Sequence, residues 1–465
     1  MRFYNTLTRD RREFTPIGIS EVKIYSCGPT VYGAAHIGNL RTYIFMDELR
    51  RALLWNEYDL IHVMNITDVG HLINDGDDGE DKMAKTAREQ SKSPWQIASY
   101  YTDMFLKDID RLNIGRPEII CKATDHIPEM IKFVEGLFEK GFAYETSDGI
   151  YFDIGKLPDY GKLSRINLDD LLAGARVEVN AEKRHPADFA LWKKAAPEHI
   201  MQWKSPWGMG YPGWHIECSA MGLKYLGKKF DIHTGGVDAI PIHHENEIAQ
   251  AEGLFGHPAA DIWMHGEFML VDNGKMSKSL GNTYTIDQLI ERGYDPLDFR
   301  YFCLNAHYRS KLNFTFEGMD SAKVSLKNLR MAVQAHKGAN GLVSDSEIKA
   351  LRDLFSSAVN DDINIPRALG FAWNVAKMRK KSNKYYKLLM EYDRVFALDL
   401  DKPLPADEPA EIEVDAALEA MIKARTDAKK AKNFAEADRI RDELKAQGIV
   451  LIDTPVGVKV QRVSE

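Results

Sequence analysis

The stretch from Tyr25 to Asn39, YSCGPTVYGAAHIGN, constrains the fold of this chain more than any other. Polar and apolar residues alternate before it, in EVKIY, with the period of a β-strand, and apolar residues recur at helical spacing after it, from Leu40 to Leu53. The stretch therefore predicts a strand, a glycine-bearing loop and a helix start. Backbone N–H groups at a helix start lack intrahelical partners and the helix dipole favours negative charge there, which predicts a phosphate site. The alternative is an ordinary turn that carries a stray cysteine and histidine.

Length and composition indicate an ordinary soluble protein with several domains. A chain of 465 residues predicts roughly two to four domains. Hydrophobic residues make up 44% and charged residues 28%, a composition that does not indicate disorder. The N-terminus carries charges where a signal peptide needs an apolar run, and no apolar run reaches membrane length. We therefore expect a cytoplasmic protein that does not associate with membranes.

Cysteine content and charge narrow the chemistry further. Four cysteines in a chain of this length, without a secretion signal, argue against a disulfide framework and favour metal ligands or reactive thiols. The net charge of −8 excludes a uniformly basic, nucleic-acid-binding surface. From Lys423 to the end, however, ten basic residues face seven acidic ones, a local charge of +3. That end of the chain either binds RNA or is a solvated helix surface.

Strand and helix patterns alternate along the first half of the chain and predict an α/β fold with a doubly wound parallel sheet of the Rossmann type. We expect this sheet domain at 1–270, with an insertion of short β-like pieces at about 120–200. A connecting region at 271–317, a helical bundle at 318–401, and a linker with a small αβ domain at 402–465 follow. The acidic loop at 74–81, NDGDDGED, is either a solvated loop or a lid over a phosphate site.

A set of four residues has the chemistry of a metal site. His243 and Glu247 are four apart on a predicted helix, so both lie on one helix face. Cys218 and Cys27 could supply two thiolates, and a Cys, Cys, His, Glu shell suits zinc. The chain has no CxxC pair, so buried free cysteines beside a helix start that faces solvent remain the alternative.

Two short strings have the chemistry of a polyphosphate site. The first, HIGN, begins the predicted helix after the opening corner, and the second, KMSKS at 275–279, follows VDNG. Two lysines and two hydroxyls in a glycine-preceded loop are suited to binding phosphates whose charge grows in a transition state. For KMSKS taken alone, a surface loop is the alternative. However, HIGN lies near the start of the first predicted half-sheet and KMSKS follows the second, and chance rarely gives such a pair in this order.

The pair of strings resembles the HIGH and KMSKS signatures of class I aminoacyl-tRNA synthetases. YSCGPTVYGAAHIGN, PGWHIECSAMG, FDIHTGG, PIHHENEIAQAE and GKMSKSLGN resemble the cysteinyl-tRNA synthetase family in particular. NITDV, DDINIPRAL and KNFAEADRIRDELKAQGI extend the resemblance over essentially the whole chain. One departure is Asn39, which stands where HIGH has its last histidine; an amide still donates a hydrogen bond.

The resemblance implies a two-step reaction. ATP and L-cysteine give cysteinyl adenylate and pyrophosphate, and the cysteinyl group then passes to the terminal ribose of tRNA(Cys). The in-line attack of the carboxylate on the α-phosphate needs mainly positioning and charge stabilisation. The implied phosphate-binding and catalytic residues are His36, Gly38, Asn39, Lys275 and Lys278. Mg²⁺ is expected with the ATP, and a monomer is expected.

The resemblance also implies one Zn²⁺ per chain that binds the thiol of the substrate. A site built around a group that its competitor lacks rejects that competitor by roughly 10⁴ to 10⁵, so an editing site is not needed. The implied zinc ligands are Cys27, Cys218, His243 and Glu247. The residues expected to line the amino-acid pocket are Trp214, His215, His233 and Asp238, each with ordinary packing as the alternative.

Two other functions fit part of the pattern. A cysteine ligase that transfers activated cysteine to a small amine would share the active site, but the helical bundle and the basic end favour an RNA acceptor. A zinc-stabilised nucleotide-binding or RNA-binding module without catalysis would have no use for a lysine-rich phosphate loop.

Overall fold

The computed structural model describes residues 1–70, 82–165, 181–276, 281–403, 416–431, 433–446, 449–454 and 457–462. The chain divides into two compact units, Met1–Lys402 and Pro403–Glu465. The acidic loop at 74–81 and most of the KMSKS string, including Lys278, lie outside the described residues. Among the helices that are described, none is long and apolar enough to cross a membrane.

The described residues of the first unit form three sheets and a short hairpin. Its strands are β1 (Arg2–Asn5), β2 (Asp10–Glu13), β3 (Glu21–Ser26), β4 (Asp59–Ile66), β5 (Ile119–Lys122), β6 (Ala143–Glu145), β7 (Gly149–Phe152), β8 (Phe189–Lys194), β9 (Trp203–Ser205), β10 (Gly208–Pro212), β11 (Phe230–Gly236), β12 (Ala260–Gly266), β13 (Met269–Val271), β14 (Gly274–Lys275) and β15 (Leu312–Phe314).

The helices of the first unit cover the parallel sheet and then form the bundle. They are α1 (Ile37–Trp55), α2 (Lys82–Glu89), α3 (Pro94–Arg111), α4 (Ile127–Glu139), α5 (Trp214–Leu226), α6 (His243–Phe255), α7 (Ile286–Glu291), α8 (Pro296–Leu304), α9 (Phe316–Gln334), α10 (Asp345–Val359), α11 (Ile365–Ala376) and α12 (Asn383–Phe396).

A five-stranded parallel sheet in the order β12, β11, β3, β4, β5 is the centre of the first unit, and it confirms the doubly wound fold. The chain runs outward from β3 through β4 to β5 and returns on the other side of β3 to β11. The direction of winding therefore changes between β3 and β11. In sheets of this kind ligands bind at the carboxyl ends of the strands beside such a switch point.

Side chains of β3 alternate between the two faces of this sheet, as the strand pattern of EVKIY predicts. Ile24 packs in the cluster that contains α1 and the helical bundle, and Tyr25 packs in the opposite cluster with α4, α5 and the antiparallel sheet. Because the sheet is buried on both faces, the end of β3 is held rigidly, and Cys27 follows it directly.

An antiparallel sheet in the order β6, β7, β8, β10, β9 interrupts the parallel sheet and runs from Ala143 to Pro212. The predicted insertion at about 120–200 begins too early and ends too early. Residues 119–122 belong to the parallel sheet, since β5 pairs with β4, and α4 follows them. The strand β10, in contrast, extends the insertion beyond 200.

Two smaller assemblies complete the chain. A three-stranded sheet, in the order β14, β13, β15, contains the start of KMSKS. The helices α9 to α12 follow it at the end of the first unit, and their buried apolar residues belong to one hydrophobic cluster. The second unit contains α13 (Ala416–Lys430), α14 (Phe434–Ala446), β16 (Ile449–Thr454) and β17 (Gly457–Arg462), and Leu418, Ile440 and Leu444 pack together within it.

Candidate metal centre and nucleotide site

The first turns of α6 bury five consecutive polar residues, His243 to Glu247. Buried polar groups need partners, so such a run indicates a site rather than a core. Glu245 accepts hydrogen bonds from the backbone N–H groups of Gly161, Leu163 and Ser164, which fixes part of the insertion against α6.

The other members of that run lie beside two cysteines. The sulfur of Cys27 is 3.9 Å from the sulfur of Cys218 and 3.9 Å from Oε1 of Glu247, and Nε2 of His243 is 3.1 Å from the same oxygen. The four donor atoms lie within 4.8 Å of one another. Cys27, at the end of β3, and Cys218, on α5, thus meet α6 at the switch point of the sheet.

These three separations lie within about 0.3 Å of the edges of a tetrahedral zinc shell. Bond lengths of about 2.3 Å to sulfur and about 2.1 Å to nitrogen and oxygen give edges of about 3.8 Å between two sulfurs, 3.6 Å between sulfur and oxygen, and 3.4 Å between nitrogen and oxygen. The sequence-predicted set, Cys27, Cys218, His243 and Glu247, is thus brought together as a candidate metal site.

Burial and neighbouring groups shift the pKa values of Glu247 and His243 away from their usual values. Burial opposes ionisation of Glu247, but His233 and His243 outweigh it and lower the pKa of Glu247 to about 2. Burial also opposes a charged His243, but Cys218 and Glu247 raise the pKa of His243 to about 10. The contact with Cys27 and burial raise the pKa of Cys218 well above its usual value, and the pKa of Cys27 is raised as well, so Glu247 is the anionic group of the cluster. A metal ion would displace the proton of His243 and those of the two thiols.

A second group of donors, Cys27, His233, His244 and Glu247, also lies within 4.8 Å. Its separations are those of hydrogen bonds: Nε2 of His233 is 2.8 Å from Oε2 of Glu247, and Nε2 of His244 is 3.2 Å from the sulfur of Cys27. Both are shorter than the corresponding tetrahedral edges of about 3.4 and 3.6 Å. Geometry and the second sulfur favour the group that contains Cys218 and His243.

The four residues expected in the amino-acid pocket lie around this cluster in different ways. The ring of Trp214 lies 4.5 Å from the ring of His243, and Nδ1 of His215 is 3.1 Å from Nδ1 of His243. His233 bonds to Glu247, as described, and its ring stacks on Trp263 at 4.5 Å. Asp238, in contrast, is exposed.

A hydrogen-bonded chain that sequence patterns did not predict holds the two cysteine-bearing elements together. The amide of Asn65 accepts from the backbone N–H of Gly28 at 2.8 Å and donates to the hydroxyl of Thr67 at 3.0 Å, and this hydroxyl donates to the buried carboxylate of Glu217 at 3.0 Å. A methyl group at Gly28 would lie 1.6 Å from the carbonyl oxygen of Asn65, so glycine is required there. In the sequence, the one feature that could have indicated this hydrogen-bonded chain is a polar residue in an apolar context, such as Glu217 directly before Cys218.

The start of α1 is arranged as the nucleotide signature predicts. His36 is the N-cap, and Nδ1 of its ring accepts from the backbone N–H of Asn39 at 3.2 Å, while the side-chain oxygen of Asn39 accepts from the backbone N–H of His36 at 3.1 Å. A neutral histidine that accepts at Nδ1 carries its proton on Nε2. The cap therefore leaves His36 as a donor of the kind that an anion accepts.

The HIGN string lies against Met276, at the described start of KMSKS. A methyl group added at Gly38 would be 3.2 Å from the sulfur of Met276, and the backbone N–H of Ile37 donates to the carbonyl of Tyr284 at 2.8 Å. The turn between β13 and β14 has positive φ at Asp272 and Asn273, the backbone of a two-residue hairpin, and it brings Lys275 to an exposed position. Lys278 lies outside the described residues.

Arg41, which sequence patterns also did not predict, connects the same two strings. It is buried on α1, and its guanidinium donates to the carbonyls of Glu267 at 2.9 Å and Phe268 at 2.6 Å, just before β13, and to those of His307 and Ser310. The helix that begins with HIGN is thereby joined to the segment that leads into KMSKS.

Comparison with known proteins adds independent support. Residues 13–324 match the family model for the class I (C) catalytic domain of tRNA synthetases, and residues 412–459 match the cysteinyl-tRNA ligase anticodon binding domain. The chain is 46% identical to cysteine–tRNA ligase 1 of Burkholderia lata, over 99% of this chain and 96% of that protein. It is 43% identical to the cysteine–tRNA ligase of Treponema denticola, over 97% and 98% of the two chains.

A solved structure shows the same fold at low identity. Methionyl-tRNA synthetase of Mycobacterium tuberculosis, in complex with methionyl-adenylate, superposes with a TM-score of 0.56 and 15% identity, over 82% of this chain and 90% of that one. The fold, the matched family models and the full-length relatives agree: the chain belongs to the cysteine–tRNA ligase family of ATP-dependent class I aminoacyl-tRNA synthetases.

Proposed function

We propose that this chain charges tRNA(Cys) with L-cysteine and selects the amino acid by its thiol, at a Zn²⁺ ion held by Cys27, Cys218, His243 and Glu247. The observation that carries the proposal is the cluster itself. Two sulfurs, one imidazole and one carboxylate lie within 4.8 Å of one another, and one of them, the sulfur of Cys27, belongs to the loop that leads into α1, the proposed nucleotide-binding helix.

Bound zinc would supply a soft Lewis acid that favours the ionised thiol of cysteine over the hydroxyl of serine. The chain's own residues supply the alignment. Cys27 belongs to the same fifteen-residue stretch as His36 and Asn39, so the thiol site and the phosphate site are fixed relative to each other by one loop. Trp214, His215 and His233 contact the ligands His243 and Glu247. We propose that Asp238, which is exposed, lies at the open side of the pocket.

ATP, with Mg²⁺, would bind where α1 begins. His36 and Asn39 donate to the phosphates, the absence of a side chain at Gly38 keeps room between α1 and Met276, and Lys275 and Lys278 neutralise the charge that develops as pyrophosphate leaves. The roles of these residues are supported by the contact between the two strings and by the N-cap of α1. For Lys278 the support is the KMSKS string alone.

The second unit indicates which molecule accepts the cysteinyl group. An anticodon-binding match at 412–459 and the positively charged end of the chain favour tRNA over a small amine, and the ligase with a small acceptor finds no support in the relatives. We further propose that the protein acts as a monomer in the cytoplasm, where translation takes place.

Pyrophosphate exchange across the twenty amino acids, followed by charging of total tRNA, tests the proposal. We expect exchange with cysteine alone and charging of tRNA(Cys). Cys218→Ser should lose zinc and exchange together, whereas Cys121→Ser, which replaces an equally buried cysteine outside the cluster, should keep both. Full exchange by a zinc-free Cys218→Ser protein would refute the zinc model.

A further inference from the structure

A row of three buried hydrogen bonds leads away from Cys27 to the N-terminal hairpin. The sulfur of Cys27 is 3.2 Å from Nε2 of His244, Nδ1 of His244 is 2.8 Å from Nε2 of His265, and Nδ1 of His265 is 2.8 Å from the hydroxyl of Thr6. The two imidazoles and the threonine are at most 4% exposed. Four separate elements, the end of β3, α6, β12 and the turn after β1, meet in this row.

Only one order of protons satisfies the row when Cys27 is a thiolate. A thiolate accepts hydrogen bonds and donates none, and a neutral imidazole has one N–H and one acceptor nitrogen. His244 must then carry its proton on Nε2, so its Nδ1 accepts from Nε2–H of His265. Nδ1 of His265 in turn accepts from the hydroxyl of Thr6. Burial and the neighbouring His233 lower the pKa of His265 to about 3, in agreement with a neutral ring.

The same contacts permit the reverse order when Cys27 is a thiol. The S–H then donates to Nε2 of His244, Nδ1–H of His244 donates to Nε2 of His265, and Nδ1–H of His265 donates to the hydroxyl of Thr6. The thiolate of Cys27 therefore fixes the tautomers of His244 and His265, whereas the thiol, whose sulfur can donate or accept, permits both orders. A metal ion at Cys27 requires the thiolate, and so requires the first order.

The position of the His244 ring is fixed independently of these bonds. A methyl group at Gly235 would lie 2.6 Å from Cε1 and 3.0 Å from Nε2 of His244, so the ring packs directly on the backbone of β11. On another side the ring lies 5.2 Å from the ring of Trp263. The backbone N–H of Thr6 donates to the carbonyl of Trp263 at 2.8 Å, which places the hydroxyl of Thr6 beside β12.

We propose that His244 is a positioning residue for the thiolate of Cys27 rather than a metal ligand, and that His265 and Thr6 hold it in the tautomer with its proton on Nε2. This proposal rests on the zinc site of the proposed function. The hydrogen bond orients the sulfur lone pairs and offsets part of its negative charge. Groups that orient metal ligands in this way typically contribute about 10- to 100-fold in metal affinity.

Thr6 gives the sharpest perturbation, because it lies three hydrogen bonds from the sulfur. Thr6→Val keeps the shape of the side chain and removes the hydroxyl, whereas Thr6→Ser keeps the hydroxyl and serves as the matched control. We expect zinc affinity, measured by competition with a chelator, to fall about tenfold in Thr6→Val and to stay within about twofold of wild type in Thr6→Ser. Equal affinities in the two variants would overturn the proposal.

Nitrogen NMR of the zinc-loaded wild-type chain tests the tautomers without any change to the row. His244→Gln and His265→Gln serve only to assign the two rings. We expect a protonated Nε2 and an unprotonated Nδ1 in both, and a protonated Nδ1 in either ring would overturn the proposal. Zinc content of the wild type separates the two proposals: a chain that binds no zinc refutes both, whereas a zinc-loaded chain with the other tautomer refutes the role of His244 alone.

Discussion

Replacing Arg41 by lysine should disconnect the two nucleotide strings while leaving the metal cluster intact. The guanidinium donates to four backbone carbonyls, two of them directly before β13, and it lies two residues beyond Asn39 on α1. A lysine keeps the charge but replaces a planar fork of donors by a single ammonium group. It therefore cannot present one donor nitrogen to Glu267 and Phe268 and another to His307 and Ser310, as arginine does.

The size of the effect follows from the number of lost bonds. A hydrogen bond from a charged donor contributes about 1.5 to 3 kcal/mol. The four bonds of Arg41 are partly buried, which places each near the lower end of this range, and we expect Arg41→Lys to lose two of them. We expect the free energy of unfolding to fall by about 3 kcal/mol. Misplacement of the segment before KMSKS should lower kcat/KM for ATP by at least about tenfold, the equivalent of about 1.4 kcal/mol in the transition state.

Urea unfolding and cysteine-dependent pyrophosphate exchange measure the two effects, and zinc content should stay unchanged. Arg50→Lys, the same substitution on the same helix, is the control, because Arg50 pairs with the partly exposed carboxylate of Glu118 and should cost about 1 kcal/mol or less. If Arg41→Lys matches Arg50→Lys in both measurements, the connection between α1 and β13 has no functional role.

The remaining predictions concern three other parts of the chain. Lys278→Ala should depress adenylate formation and keep full zinc content; loss of zinc would contradict separate sites. A chain that ends at Lys402, the boundary of the first unit, should lose tRNA charging far more than pyrophosphate exchange, and equal losses would argue against an anticodon-reading second unit. Burial raises the pKa of Glu48 from its ordinary value of 4.5 to about 8. Between these pH values the folded chain keeps a proton on Glu48 that the unfolded chain releases. The free energy of unfolding therefore falls as the pH rises from 4.5 to about 8. Glu48→Gln should therefore be more stable than wild type at pH 8 in urea unfolding by at least about 1 kcal/mol, with a gap that shrinks at pH 5, and a constant gap would refute the assignment.

Sequence patterns predicted the fold, and they singled out the four residues of the candidate metal site, because both depend on periodic or rare residues. Alternation in EVKIY and helical spacing after His36 correspond to β3 and α1, and cysteines are few enough that Cys27 and Cys218 attract notice. The spacing of His243 and Glu247 on one helix face placed them together, as observed.

What patterns could not predict depends on distant residues that meet only in the folded chain. Arg41 lies among apolar residues of α1, and it donates to backbone carbonyls more than two hundred residues away in the sequence. Thr6 and His265 are separated by 259 positions, and nothing local marks either residue. The bounds of the insertion were missed for a related reason: β5 is short, and only its pairing with β4 assigns it to the parallel sheet.

The central claim is that two cysteines of this chain hold a zinc ion that binds the thiol of the substrate, and zinc K-edge X-ray absorption tests it most directly. The account predicts two sulfur neighbours at about 2.3 Å in the zinc-loaded wild type, three when L-cysteine is added, and two when L-serine is added. One sulfur neighbour in the free protein would point to the group with His233 and His244 instead. A count that stays at two with L-cysteine would contradict selection of the thiol by the metal.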